Sequence, residues 1–189
     1  VRPENHNLIV VREALWKRAR RYPLLAGLVY RSAYDFVADH GVEYPRIAWR
    51  HEFPTGVVRQ CFGNAVTLAA RDGLRYVEGF ALCPDHLAHL HAWNVTPAGD
   101  LVDSTWLNSG LFYIGVEFSV ERADDATWNG DACILNDDKR NYPVFQRRWE
   151  GEDFELSWPA SDRLDALRTG SSTLPPSIVK WIQTLEPKG

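Results

Sequence analysis

The chain has 189 residues, 45% of them hydrophobic and 24% charged, a balance that suits a globular domain with a sizeable core and excludes a disordered or fibrous chain. Its 21 Lys and Arg against 25 Asp and Glu leave a net charge of -4, which argues against nucleic-acid binding driven by electrostatic attraction. No run of residues is apolar enough for long enough to span a bilayer, so no membrane partner is expected.

The segment from Val11 to Arg21 spaces Val11, Ala14, Leu15 and Ala19 as a helix would, and its basic cluster of Arg18, Arg20 and Arg21 reads as a solvated face. A second helix is predicted from about Leu28 to His40, with Val29, Ala33, Phe36 and Val37 on its apolar face and Gly41 at its end; Pro23 and Pro45 punctuate the pair. Residues 46–60 are broken by Pro54 and Gly56 and read as a loop or short strand. Cys61 to Asp72 then resumes helical spacing through Ala65, Leu68 and Ala69, with Gly73 as the stop. Arg75 to Leu82 alternates like a strand. After the break at Cys83-Pro84-Asp85-His86, strands are predicted over Leu90–Thr96 and Leu101–Trp106, joined by a turn through Pro97, Ala98, Gly99 and Asp100. Phe112 to Val120 is a further strand, Glu121 to Trp128 a short helix and Ala132 to Leu135 a short strand. Asp162 to Arg168 reads as a helical turn or two, and Pro175 to Leu185 as a final helix. The order predicts an α+β fold, with N-terminal helices and a Cys-bearing helix packed on an antiparallel sheet. We divide this single expected domain into a helical part (1–45), a central core (46–120) and a C-terminal embellishment (121–189).

Within that core three residues fit one kind of chemistry. Cys61 opens a helix, where the macrodipole and unpaired backbone N–H groups favour an anion and can also stabilise a developing oxyanion. His91 and Asp103 fall on consecutive strands of a hairpin. Cross-strand neighbours facing the same way have Cβ atoms about 4.5–5.5 Å apart, so the carboxylate is within reach to orient the imidazole. A nucleophile, a base and an orienter are the requirements of thiol-based acyl transfer.

The stretch CFGNAVTLAARDGLRYVEGFAL, followed by HAWNV and then LVDSTW, resembles the core of transglutaminase-like and papain-like cysteine enzymes. That superfamily has a cysteine opening a helix, a strand of Tyr-Val-x-Gly character, a His-Ala-Trp strand and a strand ending Val-Asp-x-Thr. The resemblance spans Gln60 to Trp106, about a quarter of the chain. It implies Cys61 as nucleophile, His91 as base and Asp103 as third member of a triad. Tyr76, Val77 and Gly79 fall on the intervening strand and Trp93 on the aromatic after the His. The chain departs from the pattern at Phe62, where many members have Trp, at Ser104, where proline is common, and at Asn94-Val95, where an acidic residue is usual. These departures remove no reacting group and leave the substrate class open. Gln60, beside the nucleophile, is a candidate second oxyanion donor, and the Trp49 indole N–H is another. Trp49 and Trp93 are the candidate walls of a substrate cleft.

The expected activity is hydrolysis or acyl transfer at an amide bond of a peptide or protein substrate, with neither cofactor nor metal. Transglutaminase-type crosslinking and a catalytically idle binding module on the same fold are the alternatives. A zinc site built from Cys83, His86, His89 and His91 is a third, disfavoured because it lacks paired C-x-x-C spacing and because His91 has the better use. Glu78 is read as a solvated strand charge, Trp93 and Trp106 as core aromatics of which one can wall the cleft, and Cys133 as structural. Three cysteines are too few, and odd in number, for a disulfide framework; they fit a reducing, cytoplasmic setting. The absence of methionine, with Val1 in first place, leads us to expect a processed or partial chain, and a leader removed beforehand is compatible with that. The oligomeric state has no signature in the sequence.

Overall fold

Alternating side chains on one strand decide the layering. On β2 (Arg75–Leu82), Tyr76, Phe80 and Leu82 enter the cluster shared with the helices, whereas Val77 and Ala81 enter a second cluster on the other face. Both faces are covered, and all but the first residue of β2 are buried. The computed structural model describes residues 6–49, 52–83, 87–128 and 133–146. The fold is α+β, with helices packed on a curled antiparallel sheet. In chain order come α1 (His6–Ala19), α2 (Ala33–His40), β1 (Val42–Glu43), α3 (Cys61–Asp72), β2, β3 (Ala88–Val95), β4 (Leu101–Val102), β5 (Phe112–Phe118) and α4 (Val120–Trp128), then three single-turn 3₁₀ helices at Ile134–Asn136, Asp138–Arg140 and Pro143–Phe145. The sheet order is β1-β5-β2-β3-β4, and every pairing is antiparallel. No helix among the described residues is long and apolar enough to cross a membrane.

The main cluster joins Leu15 of α1, Phe36 and Val37 of α2, and Ala65, Val66 and Ala69 of α3 to the strand side chains of that face. α1 begins five residues before the expected start, at His6, and buries the four residues its spacing singled out, Val11, Ala14, Leu15 and Ala19. α2 starts at Ala33, not at Leu28. Ser32 is extended at φ -171° and ψ 171°, so the helix does not run back past it, and the amides of Val29 and Tyr30 go to the carbonyl of Phe145, at 2.5 and 3.3 Å. Val29 is accordingly 40% exposed. α3 and β2 keep their expected bounds, and Gly73 ends α3 at φ 66°, a left-handed turn that glycine adopts without penalty.

Where β2 lies between β3 and β5, Gly79 pairs with His91 on one side and Gly115 on the other. A Cβ at Gly79 would collide with the Ile114 carbonyl and with Gly115 itself; one at Gly115 would stand 2.7 Å from the Trp93 ring. The two glycines let the three strands and the Trp93 indole close up directly behind His91.

Three strand predictions need correction. β4 covers Leu101–Val102 and stops before Asp103, because the Asp103 carboxylate captures the next amides and turns the chain. β5 ends at Phe118 because Val120 already opens α4. The strand expected at Ala132–Leu135 is instead a 3₁₀ turn at Ile134–Asn136, held by Glu78. The helices expected at 162–168 and 175–185 lie outside the described residues.

Glu78 itself overturns the expectation of a solvated charge: it is fully buried, facing the helices. Its Oε1 accepts from the Tyr76 hydroxyl at 2.7 Å and the Ile134 amide at 2.9 Å, and its Oε2 accepts from the Leu135 amide at 2.9 Å. Burial raises its pKa above the ordinary carboxyl value, while these hydrogen bonds pull the other way. Glu78→Leu strands two backbone donors and a hydroxyl at about 1–3 kcal/mol each, offset by the removal of a desolvated carboxyl. The expected net loss is about 2–4 kcal/mol, read as a lower urea midpoint; an unchanged midpoint would show that the network contributes nothing.

Candidate active site

The N-terminus of α3 is held by a staple that starts four residues in. Asn64 Oδ1 accepts from the Val57 amide at 3.0 Å, and its Nδ2 donates to the Val57 carbonyl at 2.7 Å and to Thr105 Oγ1 at 2.8 Å. The Gly56 amide donates to the Ser104 carbonyl at 2.8 Å, and a Cβ on Gly56 would collide with the Asn64 amide. The loop ahead of Cys61 is thus sewn to the turn that carries Asp103. That loop bends through Arg59 at φ 67°, a left-handed conformation uncommon outside glycine, and reaches α3 at Gln60. Gln60 is exposed and makes no side-chain cap, and Cys61 is the first residue of the helix, half-buried. On the other side, Asn94 Nδ2 donates to the Ala65 carbonyl at 2.8 Å and ties β3 to α3.

His91 sits on β3 and is 2% exposed. Its Nε2–H donates to Asp103 Oδ2 at 2.9 Å, which leaves Nδ1 as the ring nitrogen for other work. The Trp106 indole stacks on the imidazole at 4.0 Å between centroids and 19° between planes, shielding it from solvent. Burial alone would lower the His91 pKa; hydrogen bonds to Asp103 and Cys61, and the charges of both, overcome this and push it up to about 9.

Asp103 is fully buried and accepts four hydrogen bonds. Oδ1 takes the amides of Thr105 and Trp106, each at 3.0 Å, and Oδ2 takes His91 Nε2–H and the Tyr113 hydroxyl, each at 2.9 Å. The Tyr113 hydroxyl in turn accepts from the Gly110 amide at 3.0 Å, and a Cβ at Gly110 would collide with the Tyr113 ring. Burial, followed by the Asp103 charge, pushes the Tyr113 phenol well above its usual range, so it stays protonated and donating. Asn108 completes the cage: its Oδ1 accepts from the Asp103 amide at 2.7 Å and its Nδ2 donates to the Leu101 carbonyl at 3.1 Å.

The structure brings Cys61, His91 and Asp103 together in series, with Gln60 adjacent. Of the two expected tryptophans, Trp93 presents no surface at this point. Trp49 packs with Phe53 on the separate apolar cluster of Leu68, Leu74 and Val102. Trp93 is 1% exposed in the second core cluster, 6.4 Å from the His91 ring, and offers no surface to a ligand. Trp106 covers the imidazole instead. Tyr113, Asn108 and Asn64 were not singled out for this role; each acts through a loop contact that has no periodic signature. Among the described residues, no group of three His, Cys, Asp or Glu side chains is placed to hold a metal ion. His89 is exposed, edge-on to Trp106 at 6.0 Å, and His86 lies outside the described residues. Cys133 is buried, its thiol pushed above its usual range by burial and then by Glu78. Comparison with protein-family models, with curated proteins and with solved structures finds no match.

Proposed function

We propose that the chain is a cysteine-dependent hydrolase or acyl transferase acting on amide bonds, on a transglutaminase-like or papain-like scaffold. The observation that carries this reading is the buried Asp103–His91 hydrogen bond at 2.9 Å, with His91 on a strand tied to the helix that Cys61 opens. Cys61 Sγ attacks the amide carbonyl carbon while the α3 N-terminal amides, aided by the Gln60 carboxamide, stabilise the oxyanion. His91 Nδ1 gives its proton to the leaving amine as the C–N bond breaks and a thioester forms. Water, deprotonated by His91, then attacks the thioester, and a carboxylic acid leaves as the thiol is restored. An amine in place of that water gives a new amide, the crosslinking alternative. Peptides or proteins are the substrate class, and a cytoplasmic setting would keep the three free thiols reduced.

The near-complete burial of His91 under Trp106 favours a second reading, a binding module with an idle site. Iodoacetamide labelling of Cys61, followed by mass spectrometry from pH 5 to 9, separates the two. The enzyme reading expects fast labelling at pH 6 that drops about tenfold or more in His91→Ala. Labelling of an ordinary thiol in both proteins would sink it and leave the binding module.

A further inference from the structure

On the helical face of the sheet is an open-mouthed cavity of about 330 Å³, lined by the segment between α1 and α2 and by residues from α2, β2, β3 and the C-terminal 3₁₀ turns, but not by Cys61, His91 or Asp103. Ligand pockets begin at about 300 Å³, and a dry cavity of about 150 Å³ already holds a benzene ring, so this one has room for a substituted ring or a branched aliphatic group. Its walls suit such a group. Tyr34 stacks on Phe80 at 4.5 Å and 10°, and Leu90 and Leu135 lie on the same wall system. Leu90 and Phe80 point away from the triad, since side chains alternate along a strand and the next residue after Leu90 is His91.

Polar groups of the lining include Arg31, Ser32, Asn136 and Tyr142; Asp35 engages the Arg31 guanidinium at 3.1 Å, and Ser32 Oγ is buried with no hydrogen-bond partner among the described residues. Asn136 is exposed at the end of its 3₁₀ turn, and neither its carboxamide nor the Tyr142 hydroxyl has a protein hydrogen-bond partner among the described residues. Tyr142 is held at φ 52°, directly after Asn141 at φ 56°, and this left-handed step lays its ring on Phe145 at 5.6 Å and 11° against the pocket. A carboxamide presents a donor and an acceptor side by side, and another amide matches both.

We infer that this cavity is a binding site for a small amide with one aromatic or branched apolar group, the apolar group seated against Tyr34, Phe80, Leu90 and Leu135 and the amide paired with Asn136. The site does not depend on thiol chemistry, so it stands or falls separately from the proposed reaction.

Calorimetric titration of the full chain with N-acetyl-L-phenylalaninamide, and with N-acetylglycinamide as the control lacking the apolar group, tests it. Saturable binding at about 1 mM or tighter is expected for the first and none for the second. Asn136→Ala, an exposed change that leaves the core intact, should weaken binding about fivefold or more. Ala33→Phe, which fills the cavity, should abolish it, with circular dichroism verifying the fold. Binding should be the same in Cys61→Ala. Absence of saturation in the wild type, equal binding of the glycine compound, wild-type affinity in Asn136→Ala, or loss of binding in Cys61→Ala would each overturn the inference.

Discussion

Asp103→Ala is expected to lose about 3–5 kcal/mol of stability, the usual consequence of deleting one partner of a buried pair and leaving the other charge unmatched. His91 keeps a buried proton with no acceptor, the amides of Thr105 and Trp106 lose Oδ1, and the Tyr113 hydroxyl loses Oδ2. The informative companion is Asp103→Asn. Its side-chain oxygen still accepts the two turn amides, so the turn survives, but an NH₂ now faces His91 Nε2. Nε2 must then accept rather than donate, which places the remaining ring proton on Nδ1 and removes the base from Cys61. Under the proposed chemistry, Asp103→Asn should fold with a modest loss, label slowly at pH 6, and lose on the order of 10³–10⁴ in turnover of any amide substrate. Urea unfolding and iodoacetamide labelling on the same two variants check both halves. Fast labelling in Asp103→Asn would show that the carboxylate does not set the histidine tautomer.

The second large effect is a loss of stability with rising pH. The His91 pKa is raised from 6.5 to about 9 in the folded protein, so the folded state holds a proton that the unfolded chain releases earlier. The sign follows: the stabilisation is complete below about pH 6.5 and disappears as pH climbs through about 9. Its size is about 3 kcal/mol, or about 10 °C in melting temperature for a chain of this length. Thermal melts at pH 6 and pH 9.5 should show this difference in the wild type. In His91→Gln most of it should vanish, other titrating groups being common to both proteins. Of the four influences that hold the proton on His91, Cys61 supplies two, so Cys61→Ala should show a smaller difference. Equal pH dependence in the wild type and His91→Gln would mean that the imidazole is not protonated in the folded state.

Elements governed by nearest neighbours were the legible ones. α3, with its cysteine at the first position and glycine stop, and β2, a short apolar run between turn residues, need nothing from elsewhere in the chain to be recognised, and the three reacting residues sit on or beside such short-range elements. What sequence patterns missed depends on a distant partner. The residues expected to open α2 are instead a non-helical segment tied to the carbonyl of Phe145, more than a hundred residues away. Glu78 alternates equally well inward or outward along β2, and only the amides of Ile134 and Leu135 make the inward choice tolerable. β4 ends early because a carboxylate outcompetes the ladder for two amides, an effect of side-chain chemistry that strand propensity does not contain. Of Trp93 and Trp106, both read from the sequence as able to wall the cleft, it is Trp106 that covers His91, placed there by the turn at Asp103.

The Asn64 staple joins the loop before α3 to the turn after β4, and everything between those two points is contiguous in the chain. The Asn64–Thr105 bond spans 41 residues, so it closes only once α3 and the turn after β4 have been brought together. In native-state hydrogen exchange, the amides of Val57, Thr105 and Trp106 and those of α3 should therefore open together, as one cooperative unit, rather than fraying independently. The loop that leads to the thiol would then be as slow to open as the helix the thiol begins.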